Sequence, residues 1–148
     1  MKLIVLCLFT SVLYTCVLNA QPWSDKQKEV LKDVDAYIAS ALKNDIPNEM
    51  IYFHASFRKW QLDESKPTNR DWLELTLRHA DEEDQIRTIA FDSHPIDIMI
   101  NDSAAVLFLK WSITQQNEKG KDSTRSRFLT ATMIETRGKW LFTSWSEK

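Results

Sequence analysis

Glycine is nearly absent from this chain: 148 residues hold only Gly120 and Gly138, so no glycine-rich loop exists to cradle a phosphate. Cysteine is as scarce, and both copies, Cys7 and Cys16, lie near the start. The three histidines, His54, His79 and His94, are scattered without zinc-site spacing. Neither sign of charge dominates, with 19 basic and 21 acidic residues giving a formal net charge of −2. The two signs are interspersed and there is no basic run, so nucleic acid is not expected as a partner.

The beginning of the chain differs from the rest. Met1 and Lys2 precede an apolar run of roughly sixteen uncharged residues, and Leu18-Asn19-Ala20 puts a small residue before Gln21-Pro22. Residues 1–20 are expected to be a signal peptide, followed by one domain over residues 21–148 that is exported to a periplasmic or extracellular compartment and has no membrane contact after cleavage. Both cysteines would leave with the leader. The mature domain then has no disulfide, thiolate metal ligand or cysteine nucleophile, and its core alone must stabilise it. With 43% hydrophobic residues there is enough apolar surface for one such core. In a eukaryotic secretory route, Asn101-Asp102-Ser103 would be a glycosylation acceptor.

Along the mature chain, Ser24 and Gln27 form a capping box. Val30, Leu31, Val34, Tyr37, Ile38, Ala41 and Leu42 then recur at steps of three and four, the pattern of an amphipathic helix. Asn44-Asp45 ends it, and Pro47 suits the first turn of a second, short helix. Thr68 with Asp71 can cap a third helix containing Trp72, Leu73, Leu75 and Leu77, although WLELTL also alternates as a strand does. From Ile86 the period becomes two. Strands are expected over Ile86–Phe91 and Ile96–Ile100, with Asp92-Ser93-His94-Pro95 as turn chemistry between them, then over Ala104–Thr114 and Arg125–Glu135.

Both glycines fall at turns between paired strands, where positive φ is needed. If Arg137-Gly138 is a two-residue turn, Glu135 faces Trp140, Met133 faces Phe142, Thr132 faces Thr143 and Thr130 faces Trp145. Neither face of that hairpin is simply polar, so both are expected to be covered, one by the helices and the other by a second copy of the chain.

The order of elements, with YFHASFRKW (52–60), NDSAAVLFLKW (101–111) and RFLTATMIETRGKWLFTSWS (127–146), resembles the nuclear transport factor 2-like superfamily, in its SnoaL-like or ketosteroid isomerase-like branch. The resemblance implies an α+β fold in which N-terminal helices pack in the concave face of a strongly curved antiparallel sheet, a cone-shaped barrel enclosing a pocket, often as a homodimer. It covers isomerases, dehydratases and cyclases beside proteins without a reaction, so the fold does not fix the function. Ala55-Ser56 stand where the family pattern has Pro-Asp, which removes a carboxylate from that position.

Candidate bases are His54, Asp92 and Asp97, each with a plainer reading: a core-edge histidine, a turn residue and a solvent-facing carboxylate. The run His79-Ala80-Asp81-Glu82-Glu83-Asp84 lacks the alternating ligands and glycine of a calcium loop, and no metal or cofactor is expected. Core filling is expected of Trp72 and Trp140. For the pocket, His54, Trp60, Trp111, Thr130, Thr132 and Trp145 combine aromatic area with orienting hydroxyls. The leading expectation is an exported domain that binds a small, largely apolar ligand. The alternatives are an enzyme of isomerase, dehydratase or cyclase type with a His or Asp base, and an oligomerisation module without a ligand.

Overall fold

The computed structural model describes residues 22–61, 65–82 and 85–148; the expected signal peptide lies outside them. Helix α1 (Asp25–Leu42) starts at the anticipated capping box, in which the Ser24 side chain accepts from the Gln27 backbone N–H and the Gln27 side chain accepts from that of Ser24. Its stripe of Val30, Val34, Tyr37, Ile38 and Ala41 is buried. Asp45 caps α2 (Ile46–Met50), with Pro47 in its first turn. Asn69, not Thr68, caps α3 (Arg70–Glu82): its Oδ1 accepts from the Trp72 N–H at 2.8 Å. Thr68 is used instead in β2 (Thr68–Asn69), which pairs with β1 (Phe53–Gln61).

The remaining strands are β3 (Arg87–Asn101), β4 (Ala104–Gln116), β5 (Asp122–Thr136) and β6 (Lys139–Glu147). Six strands form one sheet in the order β2-β1-β6-β5-β4-β3. The expected α+β arrangement of helices on a sheet is present, with two departures. The sheet is mixed, because β1 runs parallel to β6, and it is open instead of closing into a barrel.

A third departure concerns Asp92-Ser93-His94-Pro95, which does not break the chain into two strands. The segment continues through β3 opposite Lys110, Trp111 and Ser112. Proline is tolerated there because β3 is the edge strand, and register shifts beside Thr88 and Pro95 absorb the misfit.

The β5–β6 turn behaves as its sequence requires. Arg137 and Gly138 have φ of 55° and 74°, two successive left-handed positions that form a tight hairpin. Pairing follows the anticipated register from Thr136 opposite Lys139 to Met133 opposite Phe142. There a bulge intervenes: Thr132 meets Ser144 and Ala131 meets Trp145. The extra residue turns Trp145 onto the face of Ala131, Met133 and Phe142, away from Thr130 and Thr132.

The inner face is covered by the helices. Leu107, Leu109, Leu129, Ala131, Met133, Trp140 and Phe142 are buried there against Val30, Val34 and Tyr37. Two contacts fix α1 across the strands: Gln27 Nε2 donates to the Ile98 carbonyl at 2.6 Å, and Asp33 Oδ2 accepts from the Trp140 N–H at 2.8 Å. Trp72 is no core residue. It is 59% exposed on α3, where Leu73 is buried instead.

Candidate functional site

The inner face changes character along its length. Its apolar floor gives way to an aromatic collar, and the collar to charged groups at the open end. The collar is Tyr37 from α1, Phe91 from β3, Trp111 from β4 and Trp145 from β6. Trp111 meets Phe91 at 5.3 Å and Trp145 at 5.4 Å in edge-on geometry. Trp145 also packs on Phe53, Phe57 and Phe142 at ring distances of 5.1 to 5.4 Å. A chamber of about 150 Å³ lies against this collar and is lined on its helical side by Ala41, Ile46, Leu73 and Leu77 of the three helices. It shares Lys59, Trp111, Ile113, Arg125 and Glu147 with an outer cavity of about 330 Å³, so the two form one recess with a narrow interior and a wider mouth. Together they have the size of a small-molecule site.

Three polar groups belong to the interior. Glu49 of α2 lines the chamber yet is only 6% exposed. Burial pushes its carboxyl up to about 7, against the opposing effect of a hydrogen bond from the Tyr37 hydroxyl. Tyr37 is buried too, and burial first, with the charges of Glu49 and Glu147 after it, holds its phenol well above 10. The pair therefore consists of a carboxyl poised near neutrality and a phenol that keeps its proton. Trp145 supplies the third group: it is 4% exposed, and its Nε1–H meets no acceptor among the described residues. A buried, unpaired donor costs about 1–3 kcal/mol, and this one is sealed among the rings around it.

Arg70 holds α2 in place, its Nε donating to the Phe53 carbonyl and its Nη2 to that of Met50, each at 3.2 Å. These bonds satisfy the carbonyl of Met50 at the end of α2 and that of Phe53 at the start of β1, next to the segment carrying Glu49.

The residues anticipated from the sequence fall into two groups. Trp111 and Trp145 line the chamber. The others lie elsewhere. Thr130 is exposed on the outer face, and Thr132 bonds there to Thr143 at 2.8 Å and Ser144 at 2.7 Å. Trp60 is half exposed on the side of β1 opposite Lys59. His54 lies in the irregular part of β1, where its Nδ1 accepts from the Ser56 N–H at 3.2 Å. Asp92 is on the outer face, 2.8 Å from His94 Nε2, and Asp97 accepts from the Ile98 N–H at 2.8 Å. None of these six is among the residues lining the chamber.

Glu49 was missed although a signal was present. In a helix beginning at Ile46, positions 46, 49 and 50 share a face, and Ile46 and Met50 mark that face as buried. Among the described residues no group of acidic, histidine or cysteine side chains could hold a metal ion.

No protein-family model matches the sequence, and no curated protein matches it either. Solved structures do match, and they show a nuclear transport factor 2-like fold. A protein of that description from Cytophaga hutchinsonii superposes with a TM-score of 0.71 at 10% identity, over 84% of this chain and 98% of the other. A ketosteroid isomerase-like protein from Erwinia carotovora gives 0.67 at 12% identity, over 84% and 98%. A putative scytalone dehydratase from Novosphingobium aromaticivorans gives 0.69 at 13%, over 83% of each chain.

Proposed function

We propose that this nuclear transport factor 2-like domain binds a small, largely apolar molecule in the chamber, against the rings of Trp111 and Trp145. The observation that carries the reading is the chamber itself, an aromatic wall of Tyr37, Phe91, Trp111 and Trp145 with the buried Glu49–Tyr37 pair set in it. Aromatic rings supply contact area, and the few polar groups set orientation. The proposal keeps the exported location expected from the leader. It also keeps the second copy of the chain expected on the outer face, where Ile96, Met99 and Phe128 are exposed.

Glu49 favours a second reading, proton transfer. A carboxyl with a pKa near the working pH in an apolar chamber is suited to taking a proton from carbon, and a neighbouring donor can steady the oxyanion that develops. In this reading Glu49 takes the role of base that the sequence assigned to His54, Asp92 or Asp97. The names of two fold neighbours, an isomerase-like protein and a putative dehydratase, are in keeping with it.

One neutral compound tests both. 4-Phenyl-2-butanone has an aromatic body, a carbonyl acceptor and exchangeable α-protons. Calorimetric titration is expected to show one site, weakened about tenfold or more by Ala41→Phe, whose ring would occupy the chamber. Absence of binding contradicts the pocket. In deuterated buffer, exchange of the α-protons that is accelerated by the protein and lost in Glu49→Gln supports the enzyme. Binding without accelerated exchange leaves the domain a binder.

A further inference from the structure

The mouth of the recess has a charge imbalance that the apolar-ligand reading does not use. Among the described residues, Arg125 and Arg127 of β5, with Lys59 of β1 and Lys148, line the outer cavity together with a single acidic side chain, Glu147. Glu147 is committed to Lys59, whose Nζ lies 3.6 Å away and also sits 5.8 Å from the centre of the Trp145 ring. Among the described residues the two guanidinium groups have neutral hydrogen-bond partners. Arg125 Nη2 donates to Gln115 Oε1 at 2.7 Å, and Arg127 Nη1 reaches the Ser126 carbonyl at 3.4 Å. Among the described residues neither is in an ion pair with a carboxylate.

Their position follows from strand alternation. Arg125 and Arg127 share the parity of Leu129, Ala131 and Met133, the buried inner-face residues of β5, and they stand opposite Ile113 and Trp111 of β4. Two cations thus continue the row that forms the core, at the point where the core ends and the recess opens. Asp81 and Glu49 lie on the chamber side and are absent from the lining of the mouth. A ligand lying along the recess would meet rings at one end and guanidinium groups at the other.

We propose that the molecule bound here is an amphipathic anion, with a carboxylate held by Arg125 and Arg127 at the mouth and an apolar body against Trp111 and Trp145. The inference rests on the chamber being a ligand site, and adds the chemical class of the ligand. Planar guanidinium groups match a carboxylate in two-point geometry, and at a partly screened site such charge-assisted bonds are stronger than neutral ones.

The test compares 4-phenylbutyrate with 4-phenylbutyramide, which have nearly the same shape and differ in charge, by calorimetry at low ionic strength. The acid is expected to bind about tenfold more tightly than the amide, with the advantage shrinking as salt is added. In the double variant Arg125→Gln, Arg127→Gln the acid should fall to the affinity of the amide, which is itself unchanged. Both arginines are exposed, so the variant is expected to keep the parent's unfolding midpoint. Equal binding of acid and amide by the parent protein overturns the anion site and leaves the apolar chamber standing. A preference for the acid that survives in the double variant overturns the assignment to these arginines. If neither compound binds, and 4-phenyl-2-butanone does not either, the chamber reading falls and this one with it.

Discussion

Trp140→Ala is expected to destabilise the domain by about 3–5 kcal/mol, whereas Trp72→Ala should change stability by no more than about 0.5 kcal/mol. Trp140 is 1% exposed on the inner face, its backbone N–H is held by Asp33 of α1, and Lys26 Nζ lies 5.5 Å from its ring centre. Truncation there removes the contact between the start of β6 and α1 and leaves a cavity that the surrounding strands cannot fill. Trp72 is largely solvated on the outer side of α3, so its removal leaves no void. Urea unfolding of both variants at one pH checks the contrast. Similar losses in the two would mean that α3 is packed against something other than its observed face.

Glu49 gives the second large effect, through pH. Its carboxyl is raised from 4.5 to about 7 in the folded chain, so below pH 4.5 it is protonated in both states and makes no difference. Between pH 4.5 and 7 the unfolded chain releases this proton while the folded chain retains it, so stability declines as pH rises. The full decline is about 3 kcal/mol and is reached above pH 7. Glu49→Gln can still accept from Tyr37 and does not ionise, so this part of the pH dependence should vanish. Urea unfolding at pH 5 and pH 8 is expected to show the parent losing stability relative to the variant by roughly that amount. Parallel pH profiles for the two proteins would place Glu49 in water.

What the sequence revealed and what it hid divide by the range of the interactions. The capping box at Ser24 and Gln27, the stripe of α1 and the left-handed turn at Arg137-Gly138 are set by residues within one or two turns of each other, and all three were legible. The register of the last hairpin was legible as far as Met133 and Phe142. Beyond them a bulge, set by how β6 must also pair with β1, moved Trp145 to the inner face and left Thr130 and Thr132 outside. Pro95 read as a strand break because nothing local says that β3 lies at an edge. The alternation of WLELTL left helix and strand both open, and Trp72 entered the expected core on hydrophobicity alone. Glu49 was hidden by its type: a carboxylate in a five-residue helix reads as solvent-facing until Tyr37, twelve positions earlier in the sequence, is brought against it. Arg125 and Arg127 were visible as alternating strand residues. Their place at a cavity mouth depends on β1 and β6 arriving beside them.

A buried carboxyl, tuned by its surroundings, stands in the wall of the chamber. The most direct test of that placement is a carbon-13 NMR titration of the glutamate side-chain carboxyls, with the Glu49 signal identified by its loss in Glu49→Gln. A midpoint of about 7 is expected for that signal. A midpoint near the ordinary 4.5 would show that water reaches Glu49 freely, and would contradict both its burial in the chamber wall and the acid–base role drawn from it.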